Sequence, residues 1–187
     1  FYQPKIDFKT GALTGAEALV RWEHPEEGVI APNVFIPLAE ESGLINRLSD
    51  WVLEEGARQL KRWIDTGHEL TLALNLSVKD LMAEDLHSQL ESLMQRNQLP
   101  RDVLEIEITE STLMSHPELM STELVKIKDL GISVAIDDFG SGYSSLNYLK
   151  RLPVDVLKID RAFIQEIETD PSDSAIVAGI IALAETL

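Results

Sequence analysis

Two adjacent aspartates, Asp137 and Asp138, stand where a strand-like segment runs into a glycine-rich loop, in the sequence VAIDDFGSGYSSL at residues 134–146. Two carboxylates this close repel each other, and burial of the strand also removes part of their solvation. A positive group must offset that cost, and it is an arginine, a lysine or a metal ion. The alternative interpretation is that the two aspartates only begin a turn, since aspartate is common before glycine in turns.

Other polar residues stand near the C-terminal ends of strand-like segments, notably Glu17, Asn75 and Glu107. If these strand ends converge with the paired aspartates, the side chains offer oxygen ligands only, which Mg²⁺ and Mn²⁺ favour. The spare acids favour two ions bridged by a shared aspartate, roughly 3.5–4 Å apart. Arg21 and Lys158 supply positive groups of the type that binds phosphate oxygens.

Each of these residues also has a purely structural interpretation. Glu17 would form an ion pair with Arg21, and Asn75 would cap the following helical turn. Glu105 and Glu107 would lie on the solvated face of an edge strand, and Lys158 would point to solvent. The position of several polar residues at the same end of successive strands favours a shared site instead.

Six strand-like segments alternate with helical patterns, and they read FYQPKID, TGAEALVRW, LTLALNLS, LEIEITES, ISVAIDD and VDVLKID. Repeated βα units predict a parallel sheet, either open and doubly wound or closed as a barrel. Polar residues at the C-terminal ends of several strands favour a (βα)8 barrel, because its strand ends converge on one mouth.

Helical patterns are predicted over residues 47–63, 84–97 and 117–130. The first of them is expected to bury five apolar side chains on one face: Leu48, Trp51, Val52, Leu60 and Trp63. His24 and His116, beside prolines in predicted loops, are interpreted as structural, since the four histidines show no metal-binding spacing.

The composition excludes several classes of function. A formal net charge of −16 over 187 residues disfavours binding to duplex nucleic acid or to anionic membranes. The absence of cysteine excludes disulfides and thiolate metal sites. The most apolar run, residues 175–187, is too short to cross a bilayer and fits a core helix. We therefore expect a cytoplasmic domain without membrane contact of its own, while a membrane anchor elsewhere in the full protein remains open.

Several motifs follow one another along the whole chain. They are EALVRW at 17–22, HPEEGVIAPNVFIPLAEESGLI at 24–45, NLS at 75–77, EITES at 107–111, DDFGSGYSSL at 137–146 and KID at 158–160. In their order and spacing they resemble the EAL domain, a bacterial cyclic di-GMP phosphodiesterase family. The resemblance implies a modified (βα)8 TIM-like barrel with an antiparallel first strand, and metal-dependent hydrolysis of cyclic di-GMP to linear pGpG.

The resemblance also implies a site with two Mg²⁺ or Mn²⁺ ions. Glu17, Asn75, Glu107 and Asp137 would bind the first ion, and Asp137 and Asp138 the second. Ca²⁺ is expected to inhibit, because it is larger, tolerates looser geometry and activates water less well.

Further residues receive catalytic or substrate-binding roles by the same resemblance. Lys158 would contact the attacking water or the reacting phosphate, and Arg21 would hold a phosphate oxygen. Gln3 would line the nucleotide pocket, and Asp160 would orient the site near Lys158. Glu110 would anchor the glycine-rich loop that follows the paired aspartates.

Four expectations concern the whole protein. Six strands are two fewer than a (βα)8 barrel has, and the family segments written AEGVE and QGY are not in this sequence. Residues 1–187 are therefore expected to be a C-terminally incomplete EAL domain, poorly soluble or inactive if expressed alone. The intact motifs favour catalysis, whereas a non-catalytic cyclic di-GMP receptor and an unrelated metal-dependent barrel enzyme are the alternatives. A homodimer through residues 137–146 and an upstream sensory or GGDEF domain are also expected.

Overall fold

The computed structural model describes residues 1–142 and 146–186 of the chain. The strands are β1 (Tyr2–Ile6), β2 (Leu13–Ala18), β3 (Trp22–His24), β4 (Gly28–Ile30), β5 (Thr71–Asn75), β6 (Leu104–Thr109), β7 (Ser133–Phe139) and β8 (Val156–Ile159). The helices are α1 (Pro32–Glu41), α2 (Ile45–Asp65), α3 (Val78–Leu81), α4 (Leu86–Arg96), α5 (Glu110–Ser115), α6 (Pro117–Asp129), α7 (Leu146–Leu149), α8 (Arg161–Gln165) and α9 (Pro171–Thr186). The three helical patterns predicted from the sequence correspond to α2, α4 and α6.

The chain forms two compact units. Unit 1 comprises Phe1–Ile106 and Leu130–Ile132, and unit 2 comprises Glu107–Asp129 and Ser133–Leu187. Strand β6 therefore begins in unit 1 and ends in unit 2. None of the helices in the described part of the chain combines the length and the apolar composition that a bilayer crossing needs.

The main sheet has the hydrogen-bonded strand order β1-β2-β5-β6-β7-β8. In unit 1, β1 runs antiparallel to β2 and pairs Gln3 with Glu17. Strand β2 in turn runs parallel to β5 and pairs Glu17 with Ala73. In unit 2, β7 runs parallel to β8 and pairs Ile136 with Leu157. The predicted parallel sheet with an antiparallel first strand is confirmed.

A short hairpin after β2 was not predicted. The sequence pattern extended the second strand to Trp22, but β2 ends at Ala18, and β3 pairs antiparallel with β4 in a separate two-stranded sheet. Gly28 has a φ of 72°, which glycine adopts without strain. Residues 18–22 read ALVRW and contain neither glycine nor proline, so nothing in this segment indicated that the pairing partner changes.

The buried face of α2 differs from the predicted one. Of the five residues predicted to face the core, only Leu60 is fully buried, and Trp51 is 55% exposed. The helix instead buries Leu53, Gly56 and Ala57, among others. A Cβ on Gly56 would lie 2.9 Å from Cδ2 of Leu74 in β5, so this glycine allows the helix to approach the sheet. The prediction for α2 relied on large apolar side chains, so it did not identify a contact face made of small residues.

The core of unit 2 is formed by α6 and the central part of β7. Helix α6 buries Met120, Leu124 and Ile127, and β7 buries Val134, Ala135 and Ile136. The apolar half of β7 thus holds the strand in place, and its polar half follows immediately at residues 137–138.

Candidate active site

Lys158 in β8 lies against two acidic side chains of unit 2. Its Nζ forms an ion pair with Oε2 of Glu107 in β6 and lies 2.9 Å from Oδ2 of Asp137 in β7. The side chain of Glu107 has no exposed surface, whereas those of Asp137 and Lys158 are 21% and 23% exposed. The interpretations of Glu107 as a solvated edge residue and of Lys158 as an outward lysine are therefore wrong.

Glu107 and Asp137 stabilise the protonated, positively charged form of Lys158. Burial by itself lowers the pKa of Lys158, but the hydrogen bonds and negative charges of Glu107 and Asp137 outweigh it and raise the pKa above its ordinary value. The ammonium group therefore stays protonated at neutral pH. It can donate hydrogen bonds and stabilise negative charge, but it cannot accept a proton there.

The paired aspartates lie in an irregular part of β7. The pairing of β7 with β8 shifts register between Ile136 and Phe139, which places both aspartates in a bulge. Asp138 has a φ of 52°, in the left-handed region, and its backbone N–H donates to Oδ1 of Asp137 at 3.0 Å. Asp137 is half-buried and Asp138 is exposed. Bulges redirect side chains next to active sites, and this one gives two adjacent acids different surroundings.

Glu110 holds the start of the glycine-rich loop. It is the first residue of α5 and is 2% exposed, and its Oε2 accepts a hydrogen bond from the backbone N–H of Gly140 at 2.8 Å. A Cβ on Gly142 would lie 2.9 Å from Oε1 of the same carboxylate, so the loop needs glycine there. The predicted contact between Glu110 and the loop is present at Gly140, while residues 143–145 of the loop lie outside the described part of the chain.

Asp160 closes the end of β8, two residues after Lys158. Its Oδ1 accepts a hydrogen bond from the N–H of Ala162 at 2.8 Å and caps helix α8, and its own N–H donates to the carbonyl oxygen of Phe139 at 3.3 Å. These bonds tie the residue to β7 and to α8. Its predicted role in binding substrate stays a prediction.

Glu17 and Asn75 meet in unit 1 at the ends of β2 and β5. Nδ2 of Asn75 donates to Oε1 of Glu17 at 3.1 Å. A Cβ on Gly15 would lie 2.6 Å from the carbonyl oxygen of Thr71, so glycine allows the close pairing that sets this register. The residue that caps the following helix is Ser77, so the interpretation of Asn75 as a cap is wrong.

Arg21 and Gln3 lie at the same end of unit 1 as Glu17. Nη1 of Arg21 donates to the carbonyl oxygen of Val20 at 2.7 Å, and the residue lines a cleft of about 340 Å³ together with Tyr2 and Trp51. Gln3 is exposed on β1, in register with Glu17. Their predicted contacts with a nucleotide stay predictions.

The family model described as "EAL domain" matches residues 1–187. The chain belongs to the EAL domain family. The bifunctional diguanylate cyclase/cyclic di-GMP phosphodiesterase MucR of Pseudomonas aeruginosa is 46% identical over all of this chain, which corresponds to 27% of MucR. The cyclic di-GMP phosphodiesterase PdeR of Escherichia coli is 40% identical over all of this chain and 28% of its own length. The chain thus spans about a quarter of the length of these curated relatives.

Solved structures of EAL domains share this fold. The c-di-GMP complex of the PaMucR phosphodiesterase matches with a TM-score of 0.95 and 45% identity, over 99% of this chain and 75% of that one. The EAL domain of DcpA from Mycobacterium smegmatis matches with a TM-score of 0.78 and 34% identity, over 99% of this chain and 73% of that one. The fold class predicted from the sequence is confirmed.

The acidic residues of this EAL domain include candidate metal ligands. Glu17, Glu107 and Asp137 each offer a carboxylate oxygen. Glu107 is fully buried, and a buried carboxylate requires a positive partner, which Lys158 supplies and a divalent cation also would. Oxygen-only donors fit hard cations such as Mg²⁺, Mn²⁺ and Ca²⁺. The residues present therefore fit the metal that the sequence predicts.

One role of Lys158 was not predicted from its sequence position. The residue was expected to contact water or phosphate, but not to be the shared counter-ion of Glu107 and Asp137. The signal was available, because parallel pairing of the last two predicted strands places Lys158 beside the C-terminal half of β7.

Proposed function

We propose that this EAL domain is the catalytic part of a metal-dependent phosphodiesterase that hydrolyses cyclic di-GMP to linear pGpG. The observation that carries the proposal is the group formed by Glu107, Asp137 and Lys158, in which one ammonium compensates two carboxylates, one of them fully buried. Binding of a dinucleotide alone does not require a buried carboxylate, whose desolvation is unfavourable. Phosphoryl transfer, in contrast, uses acidic metal ligands and a positioned cation. Similarity to MucR and PdeR, both named as cyclic di-GMP phosphodiesterases, supports the same function.

The acidic residues would hold two Mg²⁺ or Mn²⁺ ions. Glu17, Asn75, Glu107 and Asp137 would bind the first, and Asp137 and Asp138 the second. The contact of Asn75 with Glu17 and the shared ammonium of Glu107 and Asp137 support this grouping, since each set already brings two of the side chains together. When bound, the ions would activate a water molecule and stabilise the charge that develops on the phosphoryl group.

The positive side chains act on the phosphate. The ammonium group of Lys158 stays charged at neutral pH, so it donates hydrogen bonds to the attacking water or to a phosphate oxygen. Arg21 presents a planar guanidinium that binds a phosphate oxygen, and Gln3, in register with Glu17, contacts the nucleotide.

Two residues, Glu110 and Asp160, hold this arrangement in place. Glu110 fixes Gly140 and thereby the loop that begins at the paired aspartates. Asp160 ties the end of β8 to β7 and α8, which keeps Lys158 in place. Asp138 lies in the bulge beside Asp137, and its exposed carboxylate would serve as a ligand of the second ion.

The test measures turnover of cyclic di-GMP in the full-length protein with Mg²⁺ or Mn²⁺, with the nucleotides separated by chromatography. We expect pGpG as the product, and we expect Glu107→Gln and Asp137→Asn to lower turnover by about 10²-fold or more while the fold is retained. Glu105→Gln is the matched control, because Glu105 also lies in β6 but pairs with Lys5 at 2.7 Å.

Each outcome distinguishes between functions. Binding of cyclic di-GMP by the unaltered protein without any hydrolysis would make the domain a receptor. Near-normal turnover in both variants would refute the metal assignment.

A homodimer through residues 137–146, further sensory or GGDEF domains in the full protein and a cytoplasmic location stay predictions.

A further inference from the structure

Asp80 is a buried carboxylate outside the site described above. It lies in α3 and is 4% exposed. Its Oδ2 accepts hydrogen bonds from Oγ of Ser49 at 2.8 Å, from Oγ of Ser77 at 2.6 Å and from the backbone N–H of Ser77 at 2.8 Å. One oxygen thus joins two elements of unit 1, helix α2 and the segment that follows β5.

These bonds hold a very short helix. Ser77 and Asp80 form a capping box, because Oγ of Ser77 also accepts from the N–H of Asp80 at 3.3 Å. A helix of one turn has little stability of its own, so it depends on such contacts. Hydrogen bonds to an ionised carboxylate are stronger than those between neutral groups. The bond from Ser49 extends the capping box to α2, which packs on β5 through Gly56 on the same face as Ser49.

The segment held in this way contains Asn75. Ser77 follows it by two residues, and Leu76 between them is 6% exposed. On the other side of Asn75, the pairing of Ala73 with Glu17 fixes β5 against β2. Asn75 therefore lies between two fixed points, and its amide donates to Glu17.

We propose that Asp80 is a positioning residue for Asn75. By fixing Ser77 to α2, it restricts the backbone just after Asn75 and keeps the side-chain amide directed at Glu17. Removal of its carboxylate frees this segment, and Asn75 then loses its preferred orientation. The expected effect on metal affinity rests on the proposed function, whereas the effect on the orientation of Asn75 does not. Residues that orient metal ligands typically change metal affinity or activity by about 10- to 100-fold when they are replaced.

The experiment follows the side-chain NH₂ signals of Asn75 by NMR in the full-length protein labelled with ¹⁵N-asparagine, with the assignment given by Asn75→Ser. Asp80→Ala is expected to move these signals toward the values of an asparagine side chain that makes no hydrogen bond. Asp80→Asn keeps an acceptor oxygen and is expected to restore most of the original position. Asp85→Ala is the matched control, because Asp85 is exposed, lies nearby in sequence and makes no side-chain cap.

A second readout is the affinity for Mn²⁺, measured from the EPR signal of the free ion. We expect it to fall by about 10-fold in Asp80→Ala and to stay within about twofold of the unaltered protein in Asp85→Ala. If Asp80→Ala does not fold, Ser49→Ala serves instead, since it leaves the capping box intact and removes only the link to α2. It is expected to move the signals of Asn75 in the same direction by a smaller amount.

Signals of Asn75 that stay in place in a folded Asp80→Ala protein would overturn the proposal, whatever happens to turnover. If that protein does not fold, unmoved signals in Ser49→Ala overturn it. The Asn75 signals could also move in Asp80→Ala while the unaltered protein neither binds Mn²⁺ nor hydrolyses cyclic di-GMP. That result would support the positioning role and refute the proposed function. Failure of the positioning role and failure of the proposed function therefore give different results.

Discussion

Replacement of Lys158 by methionine removes the cation shared by Glu107 and Asp137 but keeps most of the apolar length of the side chain. Removal of one partner from a buried ion pair costs roughly 3–5 kcal/mol, because a charge stays buried without compensation. Since Lys158 is 23% exposed, water screens part of this loss, and we expect a value near the lower end, about 3 kcal/mol. For a chain of this size, 1 kcal/mol corresponds to about 2–4 °C, so the melting temperature falls by about 6–12 °C.

Thermal unfolding in EDTA, followed by circular dichroism, measures this change. We expect excess Mg²⁺ to raise the melting temperature of Lys158→Met by more than it raises that of the unaltered protein, because a bound cation replaces the missing positive charge. Lys126→Met is the matched control, since Lys126 pairs with Glu123 at 2.7 Å on the surface and is 48% exposed. Such an exposed pair contributes about 0.5 kcal/mol.

Two results would refute this reasoning. A melting temperature of Lys158→Met in EDTA no lower than that of Lys126→Met would show that Glu107 and Asp137 do not depend on the ammonium group. An equal gain from Mg²⁺ in the variant and in the unaltered protein would show that the ion and Lys158 do not compensate the same carboxylates.

Four further predictions concern the metal, the loop, the sheet and helix α9. We expect Ca²⁺ to inhibit turnover by replacing Mg²⁺, and undiminished turnover in Ca²⁺ alone would count against a two-ion hydrolytic site. Glu110→Ala frees the N–H of Gly140 and is expected to uncouple turnover from oligomeric state; unchanged turnover and Mn²⁺ affinity would contradict this. Gly15→Ala is expected to lower the free energy of unfolding by about 1–3 kcal/mol, because its Cβ would lie 2.6 Å from the carbonyl oxygen of Thr71. Gly179→Ala in α9, where a Cβ meets nothing within 4 Å, is expected to raise it by about 0.5–1 kcal/mol, and denaturant titration of both variants checks the pair.

The period of a strand explains why part of the site could be predicted from the sequence. Side chains two residues apart lie on the same face, so the alternation in two separate segments placed Glu17 and Asn75 on a common side before any contact was known. Their hydrogen bond at 3.1 Å confirms that step. The parallel sheet was predicted from the repeated βα units, which are typical of parallel strand pairing.

Features that depend on irregular backbone or on small residues could not be predicted. The bulge at Asp137 and Asp138 needs a left-handed residue, and an aspartate before a phenylalanine and a glycine does not specify which residue adopts it. The contact face of α2 is set by Gly56 and Ala57, whose small size matters only once Leu74 is opposite. The link from Ser49 to Asp80 joins residues 31 positions apart, and no local pattern indicates it.

The chain itself supplies a cation for its acids, and this has a consequence for metal binding. Lys158 already compensates Glu107 and Asp137, so a divalent ion that uses the same carboxylates must replace part of an existing ion pair. The net free energy of binding is then smaller than the attraction between the ion and the bare carboxylates. The ion pair with Lys158 also holds the two carboxylates together before an ion binds, which lowers the entropy cost of ordering them. One ammonium group thus stabilises the two carboxylates, and under the proposed function it would also weaken binding of the ion and act on the phosphate.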